Sequence, residues 1–147
     1  MRALIQRVRS AKVEVGSQCV GEIGFGLLTF LGVSQNDTEK DLQWMIDKIL
    51  NLRIFEDQNK KMNLSLLDAK GEHLLVSQFT LYGDTSQGRR PGFVEAARPE
   101  QARILYEKGI ALSQSAGVKT AHGVFQAHMQ VSLINDGPTT FWVESPR

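Results

Sequence analysis

The chain has 147 residues, 41% of them apolar and 22% charged, the proportions of a soluble globular protein rather than a disordered one. That length predicts a single domain over 1–147 with a real core, and excludes two ordinary domains. Seventeen Lys and Arg against sixteen Asp and Glu leave a net charge of +1, so any RNA contact has to come from a local patch.

The opening "MRALIQRVRS" holds no apolar run long enough for a signal peptide, and no segment approaches a membrane span, which predicts a cytoplasmic protein without membrane contact. "ALIQRV" and "AKVEV" alternate and read as strands, Gly16-Ser17 as a turn, and "CVGEI" as a partner for what precedes it. The continuous apolar run "LLTFLGV" (27–33) reads as a central strand. Asp37 or Thr38 then caps a helix whose Leu42, Met45, Ile46, Ile49 and Leu50 share one face. "LRIFED" and "KMNLSLL" follow as short extended pieces around a polar turn.

"HLLVSQFTL" (73–81) predicts a buried strand, and "YGDTSQGRRPGF" (82–93), with three glycines and a proline, has no period and reads as a functional loop. Pro99 starts a second amphipathic helix carrying Ala102, Leu105, Tyr106, Gly109 and Leu112 and ending near Gly117. "VKTAHGVF", "HMQVSLIN" and "TTFWVES" return to strands, the last two separated by a turn at Asn135-Asp136-Gly137-Pro138. Strands outnumber helices and occur in adjacent runs, so the expected class is α+β with a largely antiparallel or mixed sheet and two main helices.

One cysteine, Cys19, excludes an intramolecular disulfide and a multi-thiolate zinc site. His73, His122 and His128 form no HExxH pattern, so neither a catalytic metal nor a cofactor is expected. Arginines cluster at Arg2, Arg7 and Arg9 and again at Arg89, Arg90, Arg98 and Arg103, each best read singly as part of a solvated face. Ser77 and Thr80 suggest a hydroxyl nucleophile, but such a nucleophile needs a base and no GxSxG elbow surrounds either residue. Gln78, between apolar neighbours, must find partners if it faces inward.

"VSQFTLYGD", "GRRPGF" and "MQVSLINDGPTTFW" together resemble the signature stretches of the D-aminoacyl-tRNA deacylase family, once named for D-tyrosyl-tRNA deacylation. The likeness runs from "MRALIQRV" through "GEIGFGLL" and "RIFED…KMN" to the last strand. It implies a barrel-like fold and a homodimer that hydrolyses the ester between a D-amino acid and the acceptor end of tRNA. Ser77, Gln78, Phe79 and Thr80 then line the catalytic pocket, with backbone N–H groups near Phe79 and Thr80 holding the oxyanion. Thr80 matches a position once proposed as nucleophile; with no base for it, assistance by the ribose 2′-hydroxyl is the preferred route.

The resemblance further implies a cis Gly137-Pro138 bond thrust into the partner's site, where its carbonyls collide with an L-side chain and spare a D-side chain. X-Pro bonds tolerate this isomer readily. Glycine has no side chain to collide, so Gly-tRNA is an expected secondary substrate. Asn135 and Thr140 belong to the same motif as substrate contacts. Phe125 and Met129 shape an adenine pocket or serve as ordinary core residues, and Arg89 and Arg90 hold phosphate or the acceptor end. Two departures from the family pattern are Gly92, where serine is more usual, and Thr139, where valine is common. Three rival readings are a broader aminoacyl- or peptidyl-tRNA hydrolase, a nucleic-acid-binding dimer without hydrolysis, and a structural dimer in which Gly-Pro is only a turn.

Overall fold

The computed structural model describes residues 1–146. The two opening strands predicted separately are one, β1 (Arg2–Val15). It reverses at Gly16, where φ is +60°, into β2 (Gln18–Ile23) and β3 (Gly26–Gly32). Ala11 pairs with Ile23 and Val8 with Gly26, so β2 and β3 follow one another along the same edge of β1.

Helix α1 (Glu39–Asn51) buries the five apolar residues expected of it. Thr38 is its cap, with the Asp41 carboxylate accepting from the Thr38 N–H at 2.8 Å and hydroxyl at 2.7 Å. Asp37 does other work: its carboxylate accepts from the buried Met1 ammonium at 2.6 Å and from the Ser34 N–H at 2.7 Å. Strands β4 (Phe55–Glu56) and β5 (Met62–Leu64) make a separate two-stranded sheet. The extended reading of "KMNLSLL" holds only to Leu64. Ser65 and Asp68 exchange hydrogen bonds as a capping box and start a third, short helix, α2 (Leu66–Ala69).

Strand β6 (Glu72–Ser77) lies parallel to β3, and the predicted 73–81 strand stops there. Phe79–Tyr82 is a 3₁₀ turn instead. Helix α3 (Pro99–Ser115) buries Ala102, Leu105, Tyr106 and Gly109 as expected, but its stripe continues through Ile110 and Ser113, leaving Leu112 half-buried. Of "VKTAHGVF" only β7 (Thr120–His122) pairs, parallel to β6. β8 (Gln130–Glu144) runs antiparallel along the other edge of β1.

The sheet follows the order β2-β1-β3-β6-β7 with β8 on β1. Its ends approach each other: a Cβ on Gly21 of β2 would stand 2.5 Å from the His122 carbonyl of β7, so only glycine permits this near-closure into a barrel. The inward side chains of β1 change core at Arg7–Val8. Ala3 and Ile5 pack with α1 and α3, while Val8, Ala11 and Val13 pack with Ile23, Leu28, Leu74 and Val76.

His73 lies fully buried between β6 and α3. Its Nδ1 is 2.9 Å from the Ser113 hydroxyl and its Nε2 3.0 Å from that of Thr29. Burial pushes its pKa down to about 4 from an ordinary 6.5. The unfolded chain therefore binds a proton that the folded chain refuses. The neutral ring's contribution is complete above pH 6.5 and erodes as the pH falls towards 4, by roughly 3 kcal/mol in all. Denaturant titrations at pH 7 and pH 4.5 check this: the parent chain should lose more stability on acidification than His73→Gln.

Candidate active site

Strand β6 delivers Ser77 at its end, half-buried, and the chain then turns at Gln78 into the 3₁₀ turn. As the first two residues of that turn, Phe79 and Thr80 have N–H groups with no carbonyl three residues back inside the turn to bond. Gln78 is not an inward-facing orphan: its side-chain amide donates to the Thr80 hydroxyl. That partner is not a base, and the nearby Tyr82 phenol, pushed up to about 12 chiefly by burial, stays protonated. The hydroxyl of Thr80 therefore has no activating group among these neighbours.

Phe79 is exposed and packs edge-to-face on Phe93, ring centroids 5.0 Å apart. This joins the turn to the aperiodic loop. Asp84 and Gly92 exchange two backbone hydrogen bonds of 2.8 Å, closing the neck of a loop whose tip presents Arg89 and Arg90 to solvent. From the other side Arg2 donates from Nη1 to the Leu81 carbonyl at 3.0 Å and lies over the Tyr82 ring.

The stretch 135–140 is not a turn between two strands that face one another. Both limbs of β8 pair with β1 in the same direction, Val8 with Asn135 and Gln6 with Thr140. Arg7 alone therefore stands opposite residues 136–139, which are looped out of the strand. Gly137 and Pro138 form the exposed tip, and their peptide bond is cis. Asn135 ties the neck: its Oδ1 accepts from the Thr139 N–H at 2.7 Å and its Nδ2 donates to the Thr139 carbonyl at 3.0 Å. The Thr140 hydroxyl accepts from Gln6 Nε2 at 3.2 Å.

Arg7 is not part of a solvated face, for it is 5% exposed. Its Nε donates to the Asp136 carbonyl at 3.1 Å and pairs with the Asp136 carboxylate at 3.2 Å, while Nη1 donates to the Ile54 carbonyl at 2.7 Å. The signal was present in the alternation Ala3, Ile5, Arg7, which puts the guanidinium on the buried side of the strand. Beneath the tip the Thr139 hydroxyl is buried with no hydrogen-bond partner among the described residues. Thr139→Val keeps the shape and removes that orphan, so it should stabilise the protein by about 1 kcal/mol in a denaturant titration.

Phe125 and Met129 come from a third segment, between β7 and β8. Phe125 sits on a turn between the Arg103 guanidinium, 4.8 Å from its centroid, and the Tyr106 ring at 6.0 Å. Met129 is half-buried against Gly123, whose N–H donates to the Leu75 carbonyl at 3.1 Å, so the segment runs beside the end of β6. Phe125 also packs on the core beneath α1 and α3, and Met129 on the other core. Among the described residues no cluster of three or more His, Cys, Asp or Glu gathers as in a metal site, and no helix is long and apolar enough to cross a membrane.

Within one chain the two motif groups are far apart. β8 neighbours β1, β1 neighbours β3, and β3 neighbours β6, a span on the order of 15 Å at ordinary strand spacing. The outer edge of β8 pairs with no strand among the described residues and exposes Ile134 and Trp142.

The family described as D-Tyr-tRNA(Tyr) deacylase matches residues 4–144. A D-aminoacyl-tRNA deacylase of Clostridioides difficile (strain 630) is 56% identical over 147 residues, covering 100% of this chain and 99% of that one. One from Thermosipho africanus (strain TCF52B) is 54% identical over the same span, with the same coverage. Among solved structures, the c-Myc DNA unwinding element binding protein superposes with a TM-score of 0.93 at 42% identity, covering both chains completely. A probable eukaryotic D-amino acid tRNA deacylase shares the fold at a TM-score of 0.82 and 17% identity, covering 97% of this chain and 98% of its own. On the full-length match of sequence and fold, the chain belongs to the D-Tyr-tRNA(Tyr) deacylase family.

Proposed function

We propose that this protein hydrolyses the ester of D-aminoacyl-tRNA, and Gly-tRNA more slowly, while sparing L-aminoacyl-tRNA. The observation that carries the chiral part is the looped-out tip. Gly137 and Pro138 stand exposed on a strand whose outer edge is unpaired among the described residues, clamped from beneath by Asn135 and Arg7 and remote from the Ser77–Thr80 turn of the same chain. In a homodimer joined along β8, the tip of one subunit enters the pocket of the other. There its carbonyls reject an L-side chain by collision, a discrimination that attraction alone achieves poorly between mirror images.

The N–H groups of Phe79 and Thr80 hold the oxyanion, each such donor being worth about 2.7–4 kcal/mol. With Thr80 facing an amide rather than a base, the substrate's ribose 2′-hydroxyl assists the attack. Asn135 and Thr140 set the tip against the substrate, Phe125 and Met129 border the terminal adenine, and Arg89 and Arg90 meet acceptor-end phosphates.

D-Tyr-tRNA, L-Tyr-tRNA and Gly-tRNA, each followed as ester over time, test the reading. Fast loss of the D-ester, slower loss of the glycyl ester and a spared L-ester are expected; equal loss of D and L means a general esterase. The 42%-identical DNA unwinding element binding protein favours one other reading, a nucleic-acid-binding module. That reading requires salt-sensitive binding with every ester intact.

A further inference from the structure

We infer that Arg2 is a positioning residue for the Phe79–Tyr82 turn, an assignment that rests on the reading that the Phe79 and Thr80 N–H groups hold the oxyanion. A single 3₁₀ turn has little stability of its own, and this one carries a phenylalanine that is 56% exposed at its start. At its ends, Leu81 N–H reaches the Gln78 carbonyl only at 3.4 Å, and Gly83 N–H the Thr80 carbonyl at 3.0 Å. Something outside the turn must fix its direction.

Arg2 does so in three ways. Nη1 donates to the Leu81 carbonyl at 3.0 Å, placing a cation at the carbonyl end of the turn, opposite the N–H groups that face substrate. The guanidinium lies 4.4 Å from the centroid of Tyr82, the buried last residue of the turn. Nε is meanwhile held by the Glu144 carboxylate at 2.8 Å, with the Trp142 ring 5.7 Å away. The backbone beneath it cannot drift, because the Met1 ammonium is buried between Asp37 Oδ1 at 2.6 Å and Ser145 Oγ at 2.7 Å. The oxyanion donors are thus aimed by the β1–β8 pair, the same pair that carries the Gly137–Pro138 tip. A lysine has no planar fork with which to meet a carbonyl, a carboxylate and a ring face together.

The test separates aim from affinity. Arg2→Lys and Arg2→Met are assayed with D-Tyr-tRNA under single-turnover conditions at saturating enzyme, and binding of uncharged tRNA is measured alongside. The expected result is at least a tenfold loss of the single-turnover rate, with tRNA affinity within threefold and a cooperative melt retained. Rates within twofold of the parent, or a loss matched by lost affinity, overturn the assignment. If Arg2→Met does not fold, Glu144→Leu, which unanchors the guanidinium, is read by the same criteria. An active parent with undiminished variants sinks the Arg2 assignment alone. A parent that leaves the D-ester intact sinks the oxyanion reading and this assignment with it.

Discussion

Gly137→Ala is expected to slow hydrolysis of D-Tyr-tRNA about 100-fold and to shrink the preference for the D- over the L-ester towards tenfold or less. Gly137 has φ of +144°, a conformation that an L-residue rarely adopts. A Cβ there would stand 2.2 Å from Thr139 Oγ1 and 2.8 Å from the Thr139 nitrogen. The hydroxyl can rotate away, but the nitrogen cannot, because its N–H is held at 2.7 Å by Asn135. The tip itself has to move, and a filter that works by collision fails once the colliding atoms are displaced by about an ångström. Time courses on both esters check the outcome, with a sedimentation measurement to show that the oligomeric state is unaltered. Retained D-specificity at a normal rate would refute the placement of Gly137 in the filter.

Arg7→Lys should lower stability by about 2 kcal/mol and the D-ester rate about tenfold. The guanidinium reaches Asp136 and the Ile54 carbonyl from two different nitrogens of one planar fork, which a lysine's single nitrogen does not reproduce. A buried carbonyl left unpartnered costs about 1–3 kcal/mol. Arg9 is 3.5 Å from the Asp136 carboxylate and remains to neutralise it, which keeps the loss below that of an uncompensated buried charge. For a chain of this length the midpoint of thermal unfolding should fall by roughly 4–8 °C. A melting curve and the D-ester assay on the same preparation give both numbers. A normal melt with a normal rate would show that the looped-out tip holds its shape without Arg7.

The helices were legible because their signal is local. Leu42, Met45, Ile46, Ile49 and Leu50 recur at 3.6 residues, and all five are buried in α1. The loop at 82–93 was legible for the opposite reason, the lack of any period. The stretch 79–81 misled, since Phe79 and Leu81 flank the polar Thr80 just as alternating residues of a strand would. The chain leaves the sheet there because β6 has no further partner beyond Ser77, whose opposite residue on β3 is Leu31, one before that strand ends. The motif residues were found by likeness to a family. Arg7 was visible as an odd member of an inward alternation, and Arg2 only as one of an N-terminal cluster of arginines read as a solvated face.

The sequence by itself determined what nearest neighbours along the chain decide: the two long helices, the apolar strands, the turn chemistry at Gly16, and the membership that its motifs declare. The tertiary structure decided what depends on partners distant in the chain. Asn-Asp-Gly-Pro reads as a reversal in any local window. It became a looped-out tip because the residues on either side pair with the single strand β1, more than a hundred positions earlier. The same pairing buried Arg7 beneath the tip and brought Arg2 to the Phe79–Tyr82 turn. Strand partnership is a long-range choice, and side-chain periodicity, being short-ranged, does not encode which edge a strand will join.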